Sequence, residues 1–285
     1  MTPHPIVDGF FHAPTGTVSY VVADPATLRA AVIDSVLDFD QAAGRTSTPA
    51  AEAIARHVEE RGFKIDWVLE THAHADHLSA AQFLRQRLGG QIAIGEHIAE
   101  VQRTFARLYD IPQPPPQVFD RRFADGERFK IGAIEAEVTH TPGHTPACVS
   151  YRVGDAVFCG DTLFMPDYGT ARCDFPGGSA ETLYRSIRRL LALPLETRVL
   201  VGHVYPAEGQ KPAWESTVAE QRRANKHVRD GVGEAEFAAM RRARDATLGM
   251  PQLLWPSLQV NIRAGQLPQP DNNGLVYLKL PLNAL

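Results

Sequence analysis

Only three cysteines occur in the 285 residues, Cys148, Cys159 and Cys173, an odd number with no CxxC pair. That argues against a disulfide framework and fits a reducing compartment. The chain also lacks any run of about 18 uninterrupted apolar residues, the length a membrane helix needs. Its first residues, MTPHPIVDGFFHAPTGT, show no basic segment leading into an apolar one. No secretory signal is therefore expected, and the expected location is the cytoplasm. A charge excess of one sign is missing as well: 29 Lys+Arg against 33 Asp+Glu leave a net charge of −4. Such a balance draws the protein neither to nucleic acid nor to anionic lipid. There is no linker, low-complexity stretch or short-period repeat. What is present, 44% hydrophobic and 22% charged residues with 22 Gly and 21 Pro, is the composition of a folded chain with a sizeable core.

Strand and helix patterns alternate along the chain. Thr17–Ala23 and Ala30–Leu37 are rich in β-branched residues and read as strands separated by an Asp24-Pro25 turn. Thr48-Pro49 caps a helix over Ala50–Glu60, with Ala51, Ile54 and Val58 on one face. Ile65–Glu70 reads as a buried strand, Leu78–Leu88 as helix, Gln91–Ile94 as strand and Ile98–Leu108 as helix. Pro112–Pro116 predicts a loop. Strands are expected at Arg128–Ile131, Ile134–Thr139, Cys148–Val153, Ala156–Cys159 and Arg198–Val201, and helices at Thr182–Leu193 and Trp214–Val228. The tail from Pro256 carries two apolar runs and is expected to pack on the body. Together these predict one mixed domain over residues 1–285, with 206–285 a C-terminal helical and tail extension.

The densest chemical signal is His72-Ala73-His74-Ala75-Asp76-His77, directly after the Ile65–Glu70 strand. In an extended segment residues two apart share a side, so His72 and His74 can converge on one ion. Asp76 and His77 fall where the chain turns, and can face a neighbouring position. Imidazole suits zinc, iron and copper, and carboxylate adds charge. Three further segments each place one donor at a strand end or in a constrained loop: His144 in Thr141–Pro146, Asp161 after Phe158-Cys159-Gly160, and His203 after Val201-Gly202. The repeated pattern of strand, small residue and ligand predicts one shared metal site.

In this order and spacing, THAHADH, TPGHT, GDT and GH resemble the metallo-β-lactamase superfamily, across roughly Gly16 to Tyr205. The resemblance implies an α/β (α+β) fold, an αββα sandwich with the metal site at one edge of its two sheets. The fold alone names no reaction, since lactamases, thioesterases, lactonases, nucleases and oxygenases share it. GDTLFMPDYGTARCDFPGG (Gly160–Gly178), HTPGHTPAC and the tail motif Asn261-Ile262-Arg263-Ala264-Gly265 are similar to the persulfide dioxygenases. Within these the similarity is to the bacterial β-lactamase-hydrolase-like branch.

That resemblance implies an enzyme oxidising the sulfane sulfur of a small thiol persulfide, such as glutathione persulfide, with O2 to sulfite. It implies one Fe(II) per chain held by His72, His144 and Asp161, with open positions for sulfur and O2. His74, Asp76, His77 and His203 then orient the ligands from behind. In the alternative, a thioester hydrolase of glyoxalase II type, they help hold two Zn(II) ions. Val204 stands where relatives carry Asp or Glu after the histidine, which predicts a less firmly oriented His203. Arg172 is the expected carboxylate clamp for the thiol carrier, with Tyr205 and Arg263 as pocket walls. Cys173 is expected to be a bystander. The oligomeric state stays open, a homodimer through the C-terminal segment being one option.

Overall fold

The structure, a computed structural model, describes residues 4–111 and 118–284, so the loop expected at Pro112–Pro116 lies outside it. Its first half builds a six-stranded sheet in the order β1-β2-β3-β6-β8-β9: Ile6–His12, Thr17–Ala23, Arg29–Ile33, Lys64–Leu69, Gln91–Gly95 and Arg121–Phe123. A second six-stranded sheet runs β10-β11-β12-β13-β14-β15: Arg128–Ile131, Ile134–His140, Val149–Val153, Ala156–Phe158, Arg198–Leu200 and Glu215–Thr217. Helices α1 (Pro49–Glu60), α2 (Ala81–Leu88) and α3 (Ile98–Leu108) interrupt the first sheet in sequence, and α4 (Ala180–Leu190) separates β13 from β14. A small sheet, β5 (Arg45–Ser47), β4 (Val36–Asp40) and β7 (Leu78–Ser79), completes the strands.

Two clusters of buried side chains account for the layering. Successive residues of a strand face opposite sides. Accordingly Val18, Tyr20 and Val22 of β2 pack between the sheets with Val138, Val149 and Tyr151. Val21 and Ala23 turn instead to a second core with Ile54 and Val58 of α1, Leu84 of α2 and Phe105 of α3. β2 is therefore buried on both faces, as its unbroken apolar run requires. Two mixed sheets flanked by helices form the αββα sandwich expected from the motifs. No helix is long and apolar enough to cross a membrane among the described residues.

Several boundaries differ from expectation, each for a local reason. Ala30–Leu37 is two strands, because Asp34 takes a left-handed backbone (φ 52°) that ends β3 and lets Val36 start β4. Leu78-Ser79 pairs with β4, so helix α2 begins only at Ala81. Glu215–Thr217 pairs with β14, and helix α5 (Val218–Ala224) starts where the Thr217 hydroxyl accepts from the Glu220 N–H. Two helices lie beyond the predicted pattern, α6 (Glu234–Asp245) and α7 (Leu254–Asn261). The tail packs only in part. Leu258, Val260 and Ile262 are buried, but the second apolar run is open, with Leu280 62% and Leu282 80% exposed.

Candidate metal centre

β3 and β6 run parallel, as do β13 and β14, so their carboxyl ends emerge at one edge of the sandwich. Loops at such an edge are where open α/β sheets bind ligands. β6 ends at Leu69 and feeds Glu70–His77, β3 leads to Asp34, β13 leads to Asp161 and β14 leads to His203. His144 arrives from the β11–β12 connection. Glycine makes two of these approaches sterically feasible. Gly160 has φ +49°, and a Cβ there would run into the side chain of Thr71. A Cβ on Gly202 would lie 2.9 Å from Asp161 Oδ1.

Three donor sets converge here among the described residues, each with its atoms within 4.8 Å of one another: His72/His144/Asp161, His74/Asp76/His77 and Asp34/Glu70/His74. In the first set both imidazoles are held from behind. Thr71 Oγ1 donates to Asp34 Oδ2 at 2.8 Å and so accepts from His72 Nδ1 at 3.0 Å. His144 Nδ1 donates to the Arg172 carbonyl at 2.8 Å. Each ring is thereby fixed as the Nδ1–H tautomer with an Nε2 lone pair pointing outward. His72 Nε2 is buried without a partner, and His144 Nε2 lies 3.8 Å from Asp161 Oδ2. A buried, unpartnered nitrogen is costly unless something binds it. The donors present fit a metal ion.

His203 ties the first set to the second. His203 bonds Asp161 Oδ1 through Nδ1 at 2.6 Å and Asp76 Oδ2 through Nε2 at 2.8 Å. Burial opposes charge on this ring, but Asp161 and Asp76 overcome it and raise its pKa well above the usual histidine value. Thr17 Oγ1 lies 3.1 Å from the same Nε2. His203 is thus firmly oriented, contrary to the expectation drawn from Val204. That valine is buried in the core and its N–H bonds the Gly16 carbonyl. His74 Nε2 lies 3.0 Å from Asp34 Oδ1; against the burial penalty, Asp34 and Glu70 lift its pKa to about 10. His77 is pushed down to about 4 by burial first and by the His74 charge second. His74 Nδ1 and His77 Nε2 are buried and unpartnered like His72 Nε2.

A cavity of about 240 Å³ opens beside these groups, lined by His144, Asp161 and His203 on the metal side. Phe164, Tyr168 and Tyr205 form an aromatic wall, with the Tyr205 ring parallel to His203 at 6.1 Å and 4.8 Å from Tyr168. Arg172 also lines the cavity, but its guanidinium bonds both oxygens of Asp174 at 2.5 and 2.6 Å and the Gly249 carbonyl at 2.7 Å. Arg263 is not brought to this cavity. Cys173 is buried, and desolvation, its largest influence, raises the thiol's pKa. It is therefore a poor nucleophile.

Sequence reasoning missed the residues that orient the histidines: Thr17, Asp34, Thr71 and Asn261. Lone Asp and Thr residues carry no local signal of that role. Asn261 did carry one, as the first residue of the tail motif. Its side-chain amide donates to the His74 carbonyl at 2.8 Å and the His77 carbonyl at 2.7 Å, and its oxygen accepts from the Ser79 N–H at 2.8 Å.

A family model described as the metallo-beta-lactamase superfamily matches residues 12–203. The chain is 53% identical over 283 residues to a beta-lactamase hydrolase-like protein of Xylella fastidiosa, covering 99% of this chain and 65% of the relative. The chain thus spans about two-thirds of that longer protein. It is 48% identical to a protein of Dictyostelium discoideum named glyoxylase B2, over 98% of this chain and 97% of that one. Among solved structures it is similar to ETHE1 from Myxococcus xanthus, with a TM-score of 0.75, 29% identity, and coverage of 92% of this chain and 100% of the other.

Proposed function

The chain belongs to the metallo-beta-lactamase superfamily, with a metalloenzyme's donor cluster at its sheet edge, and on that premise we propose that it is an iron-dependent persulfide dioxygenase. One observation carries this reading. The donor atoms of His72, His144 and Asp161 converge with no competing bond between protein groups: His72 Nε2 is unpartnered, and His203 takes Asp161 Oδ1, leaving Oδ2. Asp76 and His203, needed for a second ion, are instead hydrogen-bonded to each other at 2.8 Å. Two imidazoles and one carboxylate on one face suit a non-haem iron(II). The structural similarity to ETHE1 from Myxococcus xanthus, at a TM-score of 0.75, supports the same fold around this site.

Held there by His72, His144 and Asp161, an iron(II) ion would supply the redox chemistry and bind the sulfur ligand and O2. The net reaction takes one O2 and one water per persulfide and gives one thiol and one sulfite. The chain's own residues place the ion. Thr71 and the Arg172 carbonyl aim the two imidazoles, and His203 fixes the Asp161 carboxylate. Phe164, Tyr168 and Tyr205 present their rings on one side of the cavity in which a small thiol would lie.

A second reading is favoured by one observation: His74 Nδ1 and His77 Nε2 are also buried and unpartnered, and His74, Asp76 and His77 converge within 4.8 Å. Two zinc ions would then serve a thioester hydrolase, with His72, His74 and His144 on one ion, Asp76, His77 and His203 on the other, and Asp161 bridging. The ions would supply Lewis-acid and water-activating chemistry for thioester hydrolysis. Metal analysis separates the two. Protein refolded with iron and zinc offered together should retain one iron per chain and hydrolyse no glutathione thioester. Two zinc ions with thioester hydrolysis would replace the proposal by the second reading.

A further inference from the structure

Four neighbouring strands of the first sheet, β3, β6, β8 and β9, run parallel to one another and toward the edge that carries the metal centre. Their starting residues therefore lie at the opposite end of the sandwich, where a cleft of about 1050 Å³ opens. It is lined by Arg29, Gln91 and Arg121, the first residues of β3, β8 and β9, by Trp67 of β6, and by Phe129 and Lys130 of β10. It shares no lining residue with the metal cavity. The floor is aromatic. The half-buried Trp67 ring packs 5.4 Å from Phe129 and 5.5 Å from Phe123, and those two phenyl rings stack at 4.6 Å. The indole N–H donates to the Lys130 carbonyl at 2.9 Å, which fixes the ring and sets Lys130 beside it. Both carboxylates of the lining are committed elsewhere. Asp66 accepts from Arg29 at 2.7 Å and from the Gly132 N–H at 3.0 Å. Glu127 accepts from Arg121 at 3.2 Å and from the Ala124 N–H at 2.9 Å. Arg128 turns to Glu135 of β11 at 3.0 Å. Lys130 alone differs: it is exposed, with no ion-pair partner among the described residues.

We propose that this cleft is a second binding site, for a planar aromatic anion of nucleotide size. Four cations, Arg29, Arg121, Arg128 and Lys130, line it against two carboxylates, on a chain whose net charge is −4. With those carboxylates saturated, the rim offers donors and no free acceptor, which selects an anion. A tryptophan with a purely structural role would be covered. This one borders an open cleft with its single polar atom already satisfied, so its remaining capacity is a ring face for stacking. The hydrogen bond from the indole to the Lys130 carbonyl places the stacking surface and the free ammonium next to each other. A ring laid on Trp67 thus carries its phosphate or carboxylate to Lys130. The volume suits a small molecule, whose sites typically measure roughly 300–1,000 Å³. None of these residues serves the metal centre, so the site stands independently of the reaction proposed there.

The test uses the metal-loaded full chain with adenosine monophosphate as the probe, followed by calorimetry and by quenching of tryptophan emission. Binding should saturate below about 1 mM. Lys130→Ala should weaken it about 3- to 5-fold, the size of an exposed ion pair, and Lys130→Glu should weaken it further. Adenosine, which lacks the phosphate, should bind more weakly and with the same affinity to parent and Lys130→Ala. Trp67→Leu should weaken binding about 10-fold through loss of the stack. That ring also packs on Phe123 and Phe129, so the exposed Lys130 variants decide the matter if Trp67→Leu does not fold. Iron content should be the same in the parent and the Lys130 variants, which separates the cleft from the metal centre. No saturable binding up to about 5 mM would overturn the site. Equal affinity for adenosine monophosphate in parent and Lys130→Glu would overturn it as well.

Discussion

Replacing Asn261 should loosen the metal loop from a distance of 184 or more residues along the chain. Its amide makes three hydrogen bonds of 2.7–2.8 Å to the backbone of His74, His77 and Ser79, and it is 4% exposed. Each such bond contributes about 0.5–1.5 kcal/mol net, and a buried carbonyl left unsatisfied costs about 1–3 kcal/mol. Asn261→Ala should therefore lose roughly 3 kcal/mol. At roughly 2–4 °C per kcal/mol for a domain of about this size, the melting temperature should drop by about 6–12 °C. Asn261→Asp keeps the acceptor for Ser79 but sets a carboxylate against two carbonyls, so it should be at least as damaging. Because the clamped carbonyls flank the histidine cluster, the variants' iron affinity should fall as well, read by competition with a chelator at a temperature where both stay folded. A melting temperature within about 1 °C of the parent together with unchanged iron affinity would refute the clamp.

Further outcomes follow from the same geometry. Gly160→Ala must place a Cβ at φ +49° against Thr71, and should cost about 1–3 kcal/mol and lower metal occupancy, measured by melting and metal analysis. His227 is 9% exposed, accepts from the Thr170 N–H, and has its pKa lowered to about 4 by burial first and by Arg241, Lys226 and Arg244 after it. Its neutral form is favoured by folding, so its contribution is complete above about pH 6.5 and declines as pH falls from there to about 4. His227→Gln should therefore flatten the loss of stability across that window in denaturant titrations at stepped pH. Arg172→Ala should free Asp174 and loosen the loop whose carbonyl aims His144, lowering activity equally with charged and uncharged persulfides. A loss confined to the charged substrates would return the carboxylate clamp to Arg172.

The sandwich was legible because its signals are local. Thr17–Ala23 is a buried β-branched run, α1 begins at Pro49 (although the Thr48 side chain makes no capping bond), and each donor follows a strand and a small residue. What stayed hidden depends on tertiary pairing. Nothing in the sequence AVIDSVL says that Asp34 bends back to hold Thr71 and His74, and the resulting left-handed residue splits the predicted strand. Trp214–Thr217 has a helix-compatible pattern but finds an edge to pair with at β14. The orientation of His203 escaped for a related reason. Its partners, Asp76 and Asp161, are 127 and 42 residues away, so the residue that follows it says nothing about them.

The most direct measurement is simultaneous O2 consumption and sulfite formation by the iron-loaded chain supplied with glutathione persulfide, with iron quantified in the same sample. One sulfite should form for each O2 consumed, at one iron per chain, and Asp161→Ala should lose both the iron and the activity. No O2 uptake with glutathione persulfide or any other small persulfide, from protein carrying its full iron, would contradict the proposed function.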